Sequence, residues 1–176
     1  AGDRLSGGAN DDIIVGDDAE IKRSAGTEAL LTVTSISVAL GGNDIIDAND
    51  SGFQSPESKG ADTIIGGTGN DTINGGWDND DDMLFGDNAR VHYADGTLAN
   101  DAYSIEPDFG GTDTINGGGG DDLIVGGSQN VYTIGAAGDR LFGGAGNDHI
   151  FGDNAWLVRD NANVLQSVHS TEATYG

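Results

Sequence analysis

An aspartate followed two residues later by an aliphatic residue recurs along the whole chain, and the spacing of these pairs is the feature that most limits the fold. Four times, neighbouring aspartates of this pattern stand nine residues apart, at 3 and 12, 62 and 71, 113 and 122, and 139 and 148. Complete nine-residue units are GGTGNDTIN at 66–74, GGGGDDLIV at 117–125 and GGAGNDHIF at 143–151. A fixed period of nine predicts small repeated units that stack on one another.

A second, longer period is carried by the tetrapeptide GD[DN]A. It occurs at 16–19, 86–89 and 152–155, and residues 1–23 match residues 137–159 without a gap. A module of 66–70 residues therefore recurs along the chain. Because the chain begins at Ala1 without a methionine and both edges fall within the pattern, we expect it to be a piece of a longer array.

About twenty residues of a different character follow each GD[DN]A tetrapeptide. These inserts are rich in β-branched and aromatic residues, and each has a turn signal near its middle, at 25–26, 95–96 and 161–163. The pattern predicts two short strands joined by a hairpin-like turn in every insert. No segment shows the periodicity of a helix.

The composition excludes several classes of function. The chain has 7 Lys and Arg against 30 Asp and Glu, a net charge of −23, which is unsuited to binding nucleic acid or anionic membranes. No apolar run reaches the length of a membrane span, and the absence of cysteine excludes disulfides. With 31 glycines and only 6% aromatic residues, the chain needs a stabilising interaction besides a conventional core.

The acidic residues indicate which interaction this is. By count, 25 of the 30 are aspartate, the short carboxylate that suits tight turns and oxygen-only cation sites. The nine-residue units resemble the RTX, or haemolysin-type, calcium-binding repeat, whose pattern is G-G-x-G-x-D-x-U-x with U a large apolar residue. The resemblance covers about two thirds of the chain and implies an all-β parallel β-roll that binds several Ca²⁺ ions.

The chemistry of nine residues agrees with this resemblance. The glycine-rich first six residues can form a tight turn, and the last three can form a very short strand. Two units make one coil, and stacking at about 4.8 Å places the turn of residue i beside that of residue i+18. Asp44 and Asp62 have this separation, so we expect them to be neighbours; the steps of 11 residues from Asp71 to Asp82 and 17 from Asp122 to Asp139 leave the pairing there open.

The predicted calcium ligands form three sets. The first contains the aspartates of the repeat: Asp3, Asp12, Asp44, Asp62, Asp71, Asp82, Asp113, Asp122, Asp139 and Asp148. The second, implied by the resemblance, contains the backbone carbonyls of the second and fourth positions: Gly8, Asn10, Gly67, Gly69, Gly118, Gly120, Gly144 and Gly146. Asn10 departs from the glycine of the pattern, but asparagine is the residue that next best accepts a positive φ.

The third set contains the aspartates of the tetrapeptide, Asp17, Asp87 and Asp153. Each tetrapeptide starts a nine-residue unit that is not finished, so we expect the roll to end or change course there. Either these aspartates close a calcium site where the next coil lacks its own aspartate, or they fix the exit turn through hydrogen bonds to the backbone.

This interpretation divides the chain into six segments. Coils of the β-roll are predicted at 1–19, 41–89 and 111–155, the last with an irregular insert at 128–137, and inserted strands at 20–40, 90–110 and 156–176. We expect the inserts, repeating about every 66–70 residues, to fold back over the roll where Val15, Phe85 and Phe151 precede the tetrapeptides and Ile21, Val91 and Leu157 follow them. Trp77, Phe142 and Trp156 are expected to pack under the inserts as well, with contact to a partner as the alternative.

No motif indicates catalysis. His92, His149 and His169 lack the spacing of metal ligands and are expected at the surface, and neither HExxH nor GxSxG occurs, so an enzyme is not predicted. The function expected is that of a structural calcium-binding segment of a large secreted bacterial protein, such as an adhesin, surface-layer or extracellular fibre component. Its partners would be calcium and neighbouring repeats or copies. The alternative is a C-terminal secretion and folding module of an RTX-type exported toxin or hydrolase.

Overall fold

The computed structural model describes residues 2–48, 60–94, 97–128, 138–160 and 165–170, and every regular element in these ranges is a strand. The strands are β1 (Arg4–Ser6), β2 (Ile13–Val15), β3 (Ala19–Arg23), β4 (Leu30–Ser35), β5 (Ile45–Asp47), β6 (Thr63–Ile65), β7 (Thr72–Asn74), β8 (Met83–Phe85), β9 (Ala89–Ala94), β10 (Thr97–Ser104), β11 (Thr114–Gly119), β12 (Leu123–Val125), β13 (Arg140–Ala145), β14 (His149–Phe151), β15 (Ala155–Arg159) and β16 (Leu165–Ser170). Within these ranges no helix could cross a membrane.

Ten of the strands form two five-stranded parallel sheets. The open sheet has the order β1-β5-β7-β11-β13, and the covered sheet has the order β2-β6-β8-β12-β14. Successive strands of the roll alternate between the two sheets, so each coil contributes one strand to each sheet and five coils stack. The predicted parallel β-roll is therefore confirmed.

The interior of the roll is built from one aliphatic residue per nine-residue unit. In a three-residue strand the middle side chain points to one face and the outer two point to the other. The middle residues meet between the two sheets, where Ile46, Ile64 and Leu84 are among the fully buried side chains. A single apolar position per repeat is sufficient, because each sheet contributes only one layer of side chains to the interior.

The inserts form a third, antiparallel sheet with the order β16-β15-β10-β9-β4-β3. Each insert contributes a pair of antiparallel strands, as predicted, and a turn occupies residues 25–27 of the first insert. The predicted turns at 95–96 and 161–163 and most of the irregular insert at 128–137 lie outside the described residues. Neighbouring inserts also pair with each other, because β4 pairs with β9 and β10 pairs with β15.

The antiparallel sheet packs on the outer face of the covered sheet. Phe85, Val91 and Leu157 lie in one buried apolar cluster, and Val15 and Phe151 pack against it. The expectation that the inserts fold back over the roll is thus confirmed. Ile21 departs from it, since this side chain lies on the edge strand β3 and is 49% exposed.

Candidate functional site

The ten repeat aspartates form two ladders, one along each edge of the roll. Each aspartate directly precedes the strand that its nine-residue unit contributes, so the members of a ladder lie in neighbouring coils. The first ladder precedes the open sheet and contains Asp3, Asp44, Asp71, Asp113 and Asp139. The second ladder precedes the covered sheet and contains Asp12, Asp62, Asp82, Asp122 and Asp148.

In both ladders, every aspartate after the first accepts, on one carboxylate oxygen, a hydrogen bond from the coil before it. In the first ladder, the backbone N–H of Asp44 donates to Asp71 Oδ1 at 2.8 Å, and that of Asp71 donates to Asp113 Oδ1 at 2.7 Å. The same bond joins successive members throughout both ladders, at N···O distances of 2.6–3.1 Å. Oδ1 therefore ties coil to coil and fixes the orientation of the carboxylate.

The expected pairing of Asp44 with Asp62 is wrong. Asp44 bonds with Asp3 and Asp71 in the first ladder, whereas Asp62 belongs to the second. Asp44 and Asp62 are eighteen residues apart, yet the chain crosses only once between them, from the open sheet to the covered sheet. This crossing is longer than the usual nine residues because it contains additional residues. The steps from Asp71 to Asp82 and from Asp122 to Asp139 also cross between the sheets, which settles the pairing that the sequence left open.

The second carboxylate oxygen is buried without a protein partner in half of the ladder aspartates. Oδ2 of Asp12, Asp44, Asp71, Asp113 and Asp122 is buried and has no hydrogen bond. An unpaired buried carboxylate oxygen is costly, so such an atom indicates an absent ligand. These oxygens face the turns, where the first glycine of the unit stands.

At the first glycine of each unit, the space that a Cβ atom would occupy is lined by oxygen atoms. A Cβ on Gly66 would collide with Asp71 Oδ2 and with the carbonyl oxygen of Gly86 in the next coil. The arrangement recurs at Gly75, where Asp82 Oδ2 and the Gly117 carbonyl approach the same point. A carboxylate from one turn and a carbonyl from the next therefore converge at each of these glycines.

The second and fourth positions of the turns have the backbone conformation that the pattern predicts. Gly67 and Gly69 have φ values of 108° and 143°, and the Asn10 that replaces glycine has φ 77°. A positive φ is found at all eight predicted carbonyl positions: Gly8, Asn10, Gly67, Gly69, Gly118, Gly120, Gly144 and Gly146. The carbonyl of Gly118 approaches Gly144 and that of Gly120 approaches Gly146, so these oxygens point along the stack.

Burial of the ladder carboxylates makes their ionised form costly without a cation. Desolvation raises the pKa of Asp62 and Asp71 to about 7, that of Asp113 to about 8 and that of Asp82 to about 9. Hydrogen bonds from backbone N–H groups lower these pKa values, and repulsion by neighbouring carboxylates raises them. A divalent cation placed between the turns would favour the ionised form and remove this penalty.

The turns at the first two tetrapeptides are complete, contrary to expectation. The chain leaves the roll after Gly86 and Asp87, passes through an insert and returns at Gly110 and Gly111, where Asp113 supplies the ladder aspartate. Gly16, Asp17, Gly41, Gly42 and Asp44 form the corresponding turn one module earlier. The idea that these coils lack their own aspartate is therefore wrong: the insert splits a turn that is finished afterwards.

The tetrapeptide aspartates lie inside these split turns. Asp17 Oδ2 accepts a hydrogen bond from the backbone N–H of Thr68 at 2.7 Å, and Asp87 Oδ1 accepts one from Gly111 at 2.8 Å. Asp17 and Asp87 therefore bond to the backbone, which is one of the two roles that the sequence left open. Asp87 is 5% exposed with its Oδ2 unpartnered, and burial together with repulsion by Asp113 raises its pKa to about 10. Asp153 is exposed.

The oxygens of the turns fit Ca²⁺. Among the described residues no three carboxylate or imidazole side chains cluster as a metal site would require, so backbone carbonyls must complete any coordination shell. Calcium takes six to eight oxygen ligands from carboxylates and carbonyls in flexible geometry, which matches this donor set. The residues that the sequence did not identify are the first glycines, such as Gly66 and Gly86, although their regular return in the pattern was the available signal.

Three aromatic residues depart from the expected packing. Trp77, Phe142 and Trp156 are 67%, 49% and 47% exposed, so the interpretation that they pack under the inserts is wrong. The histidines His92, His149 and His169 are exposed, as predicted.

Comparison with known families agrees with the geometry. The family model of the RTX calcium-binding nonapeptide repeat matches four segments that together exceed half of the chain, at 2–19, 58–88, 109–131 and 133–155. These segments contain every ladder aspartate except Asp44. No curated protein and no solved structure matches the chain significantly.

Proposed function

Because the chain belongs to the RTX calcium-binding nonapeptide repeat family, we propose that it is a structural segment of a large secreted bacterial protein, of the adhesin, surface-layer or extracellular fibre kind. The repeats bind several Ca²⁺ ions, and the family is a structural rather than a catalytic one. In this proposal calcium drives the folding of the coils and makes a stack of them rigid. Neighbouring repeats, or copies of the same protein, are its partners.

The observation that carries the proposal is the complementarity of the two ends of the roll. At one end, the carboxylates of Asp3 and Asp12 accept no backbone hydrogen bond from any coil that the structure describes. At the other end, the backbone N–H groups of Asp139 and Asp148 donate to no described residue. A further coil at either end would continue both ladders with the same bonds.

The apolar layers also support a stack that continues beyond the described coils. Ile150, the middle residue of β14, is 44% exposed although its counterparts in the preceding coils are buried. On the other side, Ile21 of the edge strand β3 is half exposed. The covered sheet and the antiparallel sheet therefore end in surfaces that another module would cover, and a module length of 66–70 residues would repeat the same interface.

A secreted location follows from the concentration at which such sites fill. Extracellular calcium modules bind at roughly 10⁻⁴ to 10⁻³ M, far above the concentration in resting cytosol. A roll with buried, unneutralised carboxylates would remain unstable until it met calcium outside the cell. This would delay folding until after export.

The array is tested with tandem copies of the chain. One, two and four copies are expressed in a single polypeptide and imaged by electron microscopy in millimolar calcium. If the roll continues from copy to copy, the particles are rods, and five coils at about 4.8 Å per coil add about 24 Å per copy. Compact particles whose length does not grow with copy number would contradict the proposal.

We also propose that the split turns bind calcium through the tetrapeptide aspartates in addition to the ladder aspartates. Asp87 Oδ2 and Asp113 Oδ2 are both buried and unpartnered, and the carbonyl oxygens of Gly126 and Ser128 approach the glycines beside them. The sites at Asp17 and Asp44, with the carbonyls of Gly66 and Thr68, repeat this set of oxygens. Asp153 would take the same role where a further segment completes its turn.

Calorimetric titration of calcium tests the split turns. Asp87→Asn keeps Oδ1 as an acceptor for the Gly111 N–H but removes the charge, so this variant should bind fewer ions or bind its last ion at least ten-fold more weakly. Asp108→Asn, an exposed aspartate outside both ladders, is the matched control and should behave as the parent protein does. If Asp87→Asn keeps the number and affinity of all ions, the role given to Asp87 is refuted.

A further inference from the structure

The outer face of the antiparallel sheet, which points away from the roll, has an aromatic and basic row that neither the fold nor calcium binding requires. Arg90 on β9, Tyr103 on β10, Trp156 on β15 and His169 on β16 stand opposite one another in register. The Trp156 and His169 rings are 6.0 Å apart between centroids and tilted by 43°. We call these four residues the aromatic row.

The fold does not account for this row, because the opposite face of the same strands does the packing. Val91, Ala102 and Leu157 are buried against the covered sheet with exposures of 0–1%. Their neighbours in sequence, among them Tyr103 and Trp156, must therefore point outwards. Trp156, at 47% exposed, leaves a large apolar surface in water without a structural gain.

A shallow hollow lies beside the row. It has a volume of about 240 Å³ and is lined by Arg90, His92, Asp101 and Tyr103. His92 and Asp101 face each other across β9 and β10 next to the aromatic row. The hollow thus combines a cation, hydrogen-bonding groups of both kinds and the flat face of a ring, a combination typical of sites that orient a polar ligand on an apolar surface.

The hollow holds one guanidinium, that of Arg90, and one carboxylate, that of Asp101, in a chain that is acidic as a whole. The protein has 30 acidic residues against 7 Lys and Arg, yet Arg90 makes no ion pair with any residue that the structure describes. Two of the three histidines, His92 and His169, also lie on this face. A negatively charged ligand would find here a positive group that is not already neutralised.

The aromatic row exists only where two modules meet. Tyr103 belongs to the second insert and Trp156 to the third, and they become neighbours because β10 pairs with β15. In the first insert the outward positions are Glu20, Lys22, Thr32 and Thr34, none of them aromatic, and Glu20 pairs with Lys22 at 2.8 Å. The feature is therefore specific to one junction and is not a general property of the insert.

We propose that this face binds an anionic polysaccharide. The rings of Tyr103 and Trp156 would cover the apolar C–H faces of two successive sugars, while the guanidinium of Arg90 would pair with a carboxylate on the sugar in a bidentate manner. Arg90 and Trp156 are two strand spacings apart, about 9.6 Å, which suits a disaccharide lying across the strands. A second copy is the other occupant to be tested, since its acidic roll could pair with Arg90 and exposes Trp77 and Phe142.

Tryptophan fluorescence tests the proposal, since the chain has only two tryptophans. Trp77 lies in a turn of the roll and is 67% exposed, so Trp77→Phe leaves Trp156 as the sole fluorophore of its kind. In millimolar calcium, addition of tetragalacturonate should change the Trp156 emission saturably. The fully methyl-esterified tetrasaccharide, which has the same rings without the charge, should bind at least ten-fold more weakly.

Substitutions locate the binding. Trp156→Ala and Arg90→Gln should each weaken tetragalacturonate binding at least ten-fold by calorimetry, whereas Trp77→Ala should leave it unchanged. Circular dichroism in calcium verifies that each variant folds; if Trp156→Ala does not, the comparison of Arg90→Gln with the parent protein decides. Binding that survives both substitutions would instead come from calcium ions on the roll and would overturn the proposal.

Two other results would also overturn it. One is the absence of any saturable change in Trp156 emission with tetragalacturonate. The other is a dimer in sedimentation velocity that Trp156→Ala converts to monomer, because the face would then be occupied by a second copy. A monomeric parent protein that binds the acidic tetrasaccharide through Trp156 and Arg90 is the result we expect.

Discussion

Asp71 shows how a single residue of the repeat connects backbone and metal. Its Oδ1 accepts the N–H of Asp44 in the preceding coil, and its buried Oδ2 remains without a protein partner beside Gly66. One oxygen therefore builds the stack and the other is available for calcium. Aspartate suits both roles because its side chain is short enough to keep the two oxygens within one turn.

The turns need glycine for two reasons, a positive φ and a lack of space for a Cβ atom. Three glycines distinguish these reasons. Gly118 has φ 112° and its Cβ would collide with the carbonyl of Gly76; Gly8 has φ 113° with open space around it; Gly152 has neither constraint. We expect Gly152→Ala to change stability by less than about 0.5 kcal/mol and Gly8→Ala to cost about 1–3 kcal/mol. Gly118→Ala should cost more than Gly8→Ala. Urea unfolding in saturating calcium provides the comparison, and equal costs for all three would refute the argument.

The raised pKa values predict how metal-free protein responds to pH. Burial raises the pKa of Asp62, Asp71 and Asp113 to about 7–8, above the ordinary value of 3.8. A carboxyl whose pKa is higher in the folded state stabilises that state below its unfolded pKa, and this contribution is lost as pH rises through the folded pKa. Without calcium, the roll should therefore lose stability between about pH 4 and pH 8.

Thermal unfolding followed by circular dichroism at pH 5 and pH 8 in calcium-free buffer measures this dependence. A melting transition should be more pronounced at pH 5 and weak or absent at pH 8, where the carboxylates are ionised in the free protein and added calcium should restore it. A metal-free melting temperature that rises from pH 5 to pH 8 would contradict the assignment of buried carboxylates.

At the scale of residues, the sequence predicted most of the geometry of the candidate site. All ten ladder aspartates and all eight positive-φ turn positions follow from the register of nine, including Asn10. The pairing of Asp44 with Asp62 did not follow, because a separation of eighteen residues is produced equally by two regular steps or by one step that contains additional residues. Only the three-dimensional path of the chain distinguishes the two.

At the scale of elements, the third residue of each roll strand decides which sheet is covered. In the covered sheet it is Val15, Ile65, Phe85, Val125 or Phe151, whereas in the open sheet it is Ser6, Asp47, Asn74, Asn116 or Phe142. In the open sheet, Asn116 Nδ2 donates to Asn74 Oδ1 and Asn74 Nδ2 donates to Asp47 Oδ1, both at 3.0 Å. The polar outer face of the open sheet can therefore contact water, whereas the apolar outer face of the covered sheet must be buried by the inserts.

Two phenylalanines at this position provide a matched test of the layers. Phe85 is 1% exposed beneath the antiparallel sheet, and Phe142 is 49% exposed on the open sheet. Phe85→Ala should lower the free energy of unfolding by about 3–5 kcal/mol, as removal of a buried ring does, and Phe142→Ala by less than about 1 kcal/mol. Both are measured by urea unfolding in saturating calcium. Similar losses would mean that the inserts do not cover the roll.

The joining of the inserts was not predictable from their sequences. Each insert has the composition of a hairpin, and a hairpin is a local structure that the pattern of one module suffices to predict. The pairing of β4 with β9 and of β10 with β15 instead depends on the stacking of coils beneath them, which brings together strands from different modules. The exposure of Trp156 follows from the same arrangement.

At the scale of the whole molecule, the apolar layers and the ladders act in opposite directions when calcium is absent. The interior gains one aliphatic residue per coil and sheet, while two rows of buried carboxylates repel each other and lose their hydration. A glycine-rich backbone also loses much entropy when it becomes ordered. Calcium reverses the electrostatic contribution, so metal binding and folding should be one transition.

The most direct test is circular dichroism of the chain at pH 7.5, first in excess chelator and then with calcium added to millimolar concentration. The account predicts the spectrum of a largely disordered chain in chelator and a cooperative appearance of β-structure with calcium. Magnesium at the same concentration should not replace calcium, because it requires a stricter octahedral geometry. A β-rich spectrum that chelator leaves unchanged would contradict the central claim that calcium supplies the free energy of folding.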